Sequence, residues 1–427
     1  MNCIKIGILG LGNVGKGVWN IIEENKNKID NYLGSNLEIK KILVRDIHKN
    51  RGIAIPQEKL TTNPLEIIQD PEIDIIIEVI GGIDTAFEYI KQAFENGKHV
   101  VTANKAVIAT HGNKLRALAQ RYGVELRYEA SVGGGIPIIN TLTQSLSANK
   151  IDELVGIING TTNYILTQMS DFGMDFDDAL KLAQEKGYAE ADPTSDIEGE
   201  DVAFKLSILI AVAFGIHIEP HEIPREGITK ISKKDIEYAS QLGYKIKLFA
   251  TAKKFDNNFE FHVHPTLVPS NHPLASVSNE FNALFIRGNA VGELMLYGKG
   301  AGSMPTGSAV MGDILEIGKI IGTNYKSTPL DVVSEKHLNI IGEGISQYYI
   351  HTEVIDEPGV LGKIASTFGK YGISLESVVQ RGRGNSTVPL VFITHEIERK
   401  QLDKALEEIQ NNNIINKVAS ILRVENL

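Results

Sequence analysis

Ile4-Lys5-Ile6-Gly7-Ile8-Leu9, followed at once by Gly10-Leu11-Gly12-Asn13-Val14-Gly15, decides how this chain is read. The first six residues are a short β-rich run. The next six fit G-x-G-x-x-G, and residues 14–24 carry helical apolar spacing. Alone the glycine pattern means little. Leaving a strand and opening a helix, it is specific. The first glycine permits a tight turn, the second lets backbone approach a pyrophosphate, and the third lets the helix pack on the sheet. The helix start adds N–H donors and partial positive charge. Gly10, Gly12, Asn13, Val14 and Gly15 are therefore expected to hold a dinucleotide. The alternative is a bare strand–helix turn.

Outward from this loop, strand and helix alternate. Strands are expected at 37–44, 73–80, 99–102 and 124–129, with helices at 85–96 and 115–122. The run at 73–80 is almost wholly apolar, as a parallel strand covered on both faces must be. The rhythm predicts an α/β fold with a Rossmann-type doubly wound parallel sheet over residues 1–130. Residues 131–300 differ in texture. Glycine-rich turns separate β runs at 153–158, 259–264 and 282–291 from helices at 177–186 and 200–214, which predicts a separate α+β domain. Gly300-Ala301-Gly302-Ser303 precedes a helix at 309–321, and 300–322 is expected to complete the dinucleotide unit, with Gly302 near the cofactor. A polar linker is expected at 323–346. The last stretch, 347–427, reads βαββαβ, a ferredoxin-like order, with a polar turn at 381–387.

Composition narrows the function classes. Of 427 residues, 42% are hydrophobic and 22% charged, and one hydrophobic core rarely grows past ~250–300 residues. A net charge of −10 argues against a broad nucleic-acid face. Cys3 is the single cysteine, so no internal disulfide and no cysteine-rich zinc site is possible. The longest largely apolar run, 206–216, falls short of the ~20 residues that span a membrane. The expected location is cytoplasmic. His262 and His264 alternate on a strand and His217 and His221 lie in a loop; none is expected to ligate metal.

The end of the second strand bears on the cofactor. Arg45 suits a 2′-phosphate and favours NADP. In the alternative, Asp46 takes the ribose of NAD, and Arg45 is a solvated loop charge.

Gly199-Glu200-Asp201-Val202-Ala203-Phe204-Lys205-Leu206 starts an apolar helix that carries a lysine. Asp201 and Lys205 are four apart and share a face. A lysine partly removed from water can trade protons near neutrality. The plain alternative is a surface ion pair, worth ~0–1 kcal/mol. The preceding loop, Gly187-Tyr188-Ala189-Glu190-Ala191-Asp192-Pro193-Thr194-Ser195-Asp196, holds three carboxylates and suits a substrate with an ammonium group. It is alternatively a helix-capping loop, with Asp196 as the cap.

Ala183, Gly187-Tyr188-Ala189, Asp192-Pro193, Asp196-Ile197, Gly199, Asp201 and Lys205 together resemble the signature of homoserine dehydrogenases. Thr102-Ala103-Asn104-Lys105, Tyr128-Glu129-Ala130-Ser131-Val132-Gly133-Gly134-Gly135-Ile136-Pro137 and Asn159-Gly160-Thr161-Thr162-Asn163-Tyr164 agree with it. The resemblance covers residues 1 to about 320. The tail, with Asp356-Glu357-Pro358-Gly359-Val360-Leu361 entering a helix, is similar to an ACT domain, and the likeness is to the monofunctional form of the enzyme.

The resemblance implies reversible NAD(P)H-dependent reduction of L-aspartate 4-semialdehyde to L-homoserine, on the route to threonine, methionine and isoleucine. It implies Lys205 as general acid, Lys105 between cofactor and substrate, and Glu190 and Asp201 as substrate ligands. Residues 131–300 would be the catalytic and dimerisation domain of a homodimer or homotetramer. Glu129, with the carbonyls of Val132, Gly134 and Ile136, would hold a monovalent cation, expected to be sodium; the alternative is a glycine-rich hinge with Glu129 paired to a base. The tail implies an amino-acid effector, expected to be L-threonine, at residues 356–361, or else serves only to build the oligomer. Two rivals remain: an NAD(P) oxidoreductase for another amino-acid-derived aldehyde, and a dinucleotide sensor without turnover.

Overall fold

In a computed structural model of the chain the described residues are 3–256, 258–321, 339–340, 344–380, 387–411 and 415–425. In order they form β1 (Ile4–Leu9), α1 (Asn13–Leu33), β2 (Leu37–Leu43), β3 (Leu60–Thr61), α2 (Leu65–Ile68), β4 (Ile75–Glu78), α3 (Asp84–Glu95), β5 (His99–Thr102), α4 (Lys105–Tyr122), β6 (Leu126–Arg127), α5 (Ile138–Asn140), β7 (Ile151–Ile157), α6 (Gly160–Phe172), α7 (Phe176–Glu185), α8 (Thr194–Ile197), α9 (Glu200–Phe214), α10 (Lys233–Gln241), β8 (Tyr244–Phe255), β9 (Asn258–Pro269), β10 (Phe281–Gly288), β11 (Gly292–Lys299), α11 (Ser303–Ile320), β12 (Asn339–Ile340), β13 (Ile345–Ile355), α12 (Val360–Lys370), β14 (Leu375–Gln380), β15 (Thr387–Thr394), β16 (Ile397–Glu398), α13 (Arg399–Asn411) and β17 (Ile415–Val424). They fall into two compact units. The first takes its residues from 1–151, 204–222 and 282–337, and the second from 152–203, 223–281 and 338–427.

The first unit is built on a parallel sheet of order β3-β2-β1-β4-β5-β6. This is the doubly wound dinucleotide-binding order, whose ligand crevice lies at the carboxyl ends of the strands where the order reverses, beside β1 and β4. Ile6, Ile8, Ile75, Ile76 and Ile77 are all fully buried, so these strands show no polar alternation. Helix α1 runs nine residues past the stretch its sequence spacing marks, because its second half is mostly polar and exposed, with Ile29 buried and Asp30 and Leu33 half-buried. Helix α11 packs along it: Val310, Ile314 and Ile317 share one core with Val18, Trp19 and Ile22.

Other elements also differ from their sequence expectation, and α11 opens at Ser303, six residues before the helix expected at 309–321. Helix α4 begins at Lys105, ten residues before the amphipathic stripe that marked 115–122. Its first turn, Ala106 to Ala109, is apolar on every side and carries no such stripe. The strand expected at 124–129 is two residues long, because the chain leaves the sheet at Tyr128 into a 3-10 turn at Glu129–Ser131. The run expected at 282–291 ends at Gly288 with β10, residues 289–291 form a turn, and β11 begins beyond it at Gly292.

The second unit carries strands in the order β7-β8-β9-β17-β13-β15-β14. β7, β8 and β9 pair antiparallel, and β17 runs parallel to β9 with Arg423 beside Thr266 and Val424 beside Leu267. β13, α12, β14, β15, α13 and β17 give the βαββαβ order, with antiparallel strands arranged β17-β13-β15-β14. Tyr348, Phe368, Phe392 and Leu402 fill its core. Sequence spacing missed α6, α10 and β8; β8 opens on an alternation, Tyr244-Lys245-Ile246-Lys247-Leu248, that Phe249-Ala250 and the adjacent Lys253-Lys254 then break. Most of the linker expected at 323–346, and all but Thr387 of the turn expected at 381–387, lies outside the described residues. Among the described residues no helix is long and apolar enough to cross a membrane.

Candidate active site

The glycine-rich loop leaves β1 with Gly10 at φ +107°. A Cβ there would sit 2.8 Å from the Val79 carbonyl oxygen, so only glycine fits. The first intrahelical bond of α1 runs from Lys16 N to Gly12 O at 3.0 Å. The N–H groups of Asn13, Val14 and Gly15 lie ahead of it, at the positive end of the helix. Nothing stands within 4 Å of the place a Gly12 Cβ would take, so backbone approach is open there. Donor set and open approach both fit a diphosphate. Ser303 Oγ donates to Asn13 O at 2.6 Å, which brings Gly302 beside the loop.

Beyond β2, Arg45 and Asp46 are both exposed. Asp46 Oδ1 accepts from His48 N at 2.8 Å, and Arg51 clips the same turn by donating to the carbonyls of Asp46 and Lys49.

Lys105 is the first residue of α4 and is half-buried. The turn before it is fixed by a buried network. Thr102 Oγ1 donates to Glu78 Oε2 at 2.6 Å, and Asn104 N donates to Thr102 Oγ1 at 2.9 Å. Asn104 Oδ1 then caps α4 through Val107 N, while its Nδ2 donates to Gly82 O at 2.7 Å.

Glu129 is buried, and its carboxylate accepts from Ile139 N at 2.8 Å and Asn140 N at 2.6 Å. Its own N–H donates to Asp313 Oδ2 at 2.9 Å. Burial pushes the carboxyl of Glu129 up, and pushes that of Asp313 up to about 8 against the bond it accepts from Glu129 N–H. Gly134, at φ +57°, lies so close to the Gly300 backbone that a Cβ would collide with it. The Ile136 carbonyl accepts from Ile138 N at 2.8 Å. Each of these oxygens keeps a second lone pair, and two buried acids side by side suit a neighbouring cation.

In the second unit, Asn159 ends the segment after β7. Its Oδ1 caps α6 through Thr162 N at 2.8 Å. Its Nδ2 donates to Asp196 Oδ1 at 2.7 Å and to Asp201 Oδ2 at 2.8 Å. One amide thus holds two carboxylates that would otherwise repel, and Asp201 is 6% exposed. Lys205 follows one turn along α9 and is half-buried; it already belongs to the first unit, which takes up the chain at Phe204, and Leu206 and Leu209 beside it in sequence are buried. The acidic loop is tied down as well. The Ala183 carbonyl accepts from Tyr188 N and Ala189 N, and Thr161 Oγ1 donates to Tyr188 O at 2.7 Å. Ahead of α8, Asp192 Oδ1 accepts from Thr194 N and Oγ1, which holds its carboxyl below the usual range; α8 itself opens after Pro193 without a side-chain cap. Glu190 is exposed, its carbonyl accepting from Gln184 Nε2 at 3.1 Å.

The first unit therefore holds Gly10, Gly12, Asn13, Val14, Gly15, Arg45, Lys105, Lys205 and Gly302, together with Glu129 and its glycine loop. Asn159, Glu190 and Asp201 belong to the second. Residue-level reading passed over Glu78, Asn159 and Asp313. Glu78 ends an otherwise apolar buried strand and Asp313 interrupts an apolar helix, and both were legible as acids out of place. Asn159 looks like any N-cap until the fold brings Asp196 and Asp201 to it. His262 and His264 are buried and stacked, 4.6 Å between ring centroids.

Comparison with known proteins agrees with this geometry. Residues 137–315 match the family model described as homoserine dehydrogenase, and 10–129 match the homoserine dehydrogenase NAD-binding domain. Residues 348–413 match the ACT domain. The chain is 39% identical to the homoserine dehydrogenase of Bacillus subtilis strain 168, over 100% of this chain and 99% of that one. It superimposes on the crystal structure of a homoserine dehydrogenase from Thiobacillus denitrificans with a TM-score of 0.93, at 40% identity over 99% and 98% of the two chains. A hyperthermophilic archaeal homoserine dehydrogenase in complex with NADPH matches 74% of this chain and 97% of its own, at 30% identity and a TM-score of 0.64. Family models cover both the nucleotide-binding and the catalytic regions, and full-length relatives share about two residues in five, so the chain belongs to the homoserine dehydrogenase family of NAD(P)-dependent oxidoreductases.

Proposed function

We propose that this chain interconverts L-aspartate 4-semialdehyde and L-homoserine through Lys205 as proton donor, with NADP as the preferred cofactor. The observation that carries the reading is the Asn159 amide holding Asp196 and Asp201 at the head of the helix that carries Lys205. A nicotinamide dinucleotide, bound through Gly10, Gly12, Asn13, Val14 and Gly15 with Gly302 alongside, supplies or takes the hydride. In the reducing direction Lys205 Nζ gives its proton to the carbonyl oxygen; in the oxidising direction it receives one from the hydroxyl. Asp201 and Glu190 bind the hydroxyl and amino ends of the substrate. Lys105 adds positive charge where the oxygen becomes negative. Arg45 meets the 2′-phosphate.

A monovalent cation, sodium in this reading, is held by Glu129 and the carbonyls of Val132, Gly134 and Ile136. It neutralises the buried charge of Glu129 and stiffens the glycine loop. The ACT domain takes L-threonine at residues 356–361, where Gly359, at φ +93°, opens α12. The domains run 1–130 with 300–322, 131–300 and 347–427. The chain works in the cytoplasm as a homodimer or homotetramer.

The test is a spectrophotometric assay with L-homoserine and NADP or NAD, in sodium, potassium or choline chloride, with and without L-threonine. Reduction faster with NADP, dependent on the inorganic cation and slowed by threonine, supports the reading part by part. No reduction under any of these conditions overturns it.

A further inference from the structure

β4 reads Ile75-Ile76-Ile77-Glu78, and all four residues are buried. A carboxylate at the end of a fully covered strand is costly unless donors surround it. Packing alone would be served by a leucine. Burial pushes the Glu78 carboxyl up, and the bonds it accepts oppose that shift. Its Oε1 accepts from Ile80 N at 2.9 Å, fixing the loop that leads to Gly81 and Gly82. Its Oε2 accepts from Thr102 Oγ1 at 2.6 Å, and Thr102 in turn accepts from Asn104 N. Asn104 closes the circuit by donating to Gly82 O and by capping α4. One buried carboxylate therefore ties together the loops after β4 and β5, at the carboxyl edge of the sheet where dinucleotide folds bind their ligand. The residue that emerges from this network is Lys105.

We propose that Glu78 is a positioning residue for the reaction, acting through Thr102 and Asn104 to set the first turn of α4 and so the Lys105 ammonium. The inference rests on the reading of Lys105 given above. Glutamine at 78 can still accept from Ile80 N. It turns an NH2 toward the Thr102 hydroxyl, which already accepts from Asn104 N, so the hydroxyl proton loses its acceptor.

The test compares Glu78→Gln, Thr102→Val, Thr102→Ser, Lys105→Ala and Glu78→Gln with Lys105→Ala, all in the full chain. The readouts are kcat and KM for L-homoserine, and thermal melting. Glu78→Gln and Thr102→Val should each lower kcat by roughly tenfold or more, while Thr102→Ser stays within about twofold. With Lys105 already alanine, Glu78→Gln should cost less than about threefold more, since the two act as one unit. Full kcat in Glu78→Gln, or an equal loss in both backgrounds, overturns the inference and leaves Lys105 its role. If Glu78→Gln does not fold, the threonine pair decides, and Thr102→Val as active as Thr102→Ser overturns it. If Lys105→Ala keeps full kcat, the role of Lys105 falls and the inference falls with it.

Discussion

Asn159 Nδ2 lies 2.8 Å from Asp201 Oδ2 and donates to it, while the other face of the same amide caps α6. Asp201 thus takes its place from a residue 42 positions earlier in the chain. Asn159→Ala removes a cap worth about 0.5–2 kcal/mol and leaves Asp196 and Asp201 facing each other. Stability should fall by about that amount, and KM for homoserine should rise. Asn159→Asp adds a third negative charge and should be the more damaging of the two. Steady-state kinetics with melting curves check both; an alanine variant with unchanged KM separates Asp201 placement from substrate binding.

Lys205→Ala should lower kcat by roughly 10²–10⁴-fold. The loss should appear in kcat and kcat/KM alike, as for a group whose interaction strengthens in the transition state. A loss under tenfold makes Lys205 a bystander.

Arg45→Ala should weaken NADP binding by roughly 10–100-fold, the worth of a charged hydrogen bond of ~1.5–3 kcal/mol, and leave NAD unaffected. Fluorescence titration with the two reduced cofactors reads the ratio. Equal weakening of both points to the loop rather than the phosphate.

Asp313 carries a sign that melting curves can read. Its carboxyl is pushed from an ordinary 3.8 up to about 8 by burial. Between those values the folded chain keeps a proton that the unfolded chain has lost. Stability contributed there falls as pH rises across the window. Asp313→Asn retains the acceptor for Glu129 N–H and should flatten this fall. A variant whose melting temperature tracks the parent from pH 5 to 9 contradicts the assignment.

Threonine sensitivity is better probed by point changes than by cutting off the tail. Removing 345–427 would take β17 away from β9 and Glu425 away from Lys253, so a lost response would be ambiguous. Asp356→Ala leaves the sheet intact. It should raise the threonine concentration needed for half inhibition; an unchanged curve moves the effector elsewhere.

The doubly wound sheet was legible because β1 and β4 are apolar on both faces and the glycine loop sits where strand becomes helix. The ferredoxin-like tail was legible from its turn residues and amphipathic helices. Helix α4 was half hidden because its first turn, Ala106 to Ala109, is apolar on every side. β8 was hidden because Lys247 is buried in it, donating to Asn163 Oδ1 at 3.0 Å and Val277 O at 2.6 Å, partners no periodicity reveals. Spacing along one helix sets Lys205 one turn after Asp201. No spacing could place Asn159 against Asp196 and Asp201, or Thr102 against Glu78, since those bonds depend on how strands and loops meet.

The parallel pairing of β17 with β9 sets a timetable for the nascent chain. Arg423 is made 157 residues after its partner Thr266. At ~5–20 residues per second, β9 waits roughly 8–30 s on the ribosome before that edge can be covered. Until then it presents unpaired backbone groups at Thr266 and Leu267, as any open strand does. Early chain release, or a stall within the last hundred codons, therefore exposes a sticky edge on the second unit and not merely a missing appendage. Aggregation of truncated chains, rather than loss of threonine response, is the first symptom such a lesion should show in the cell.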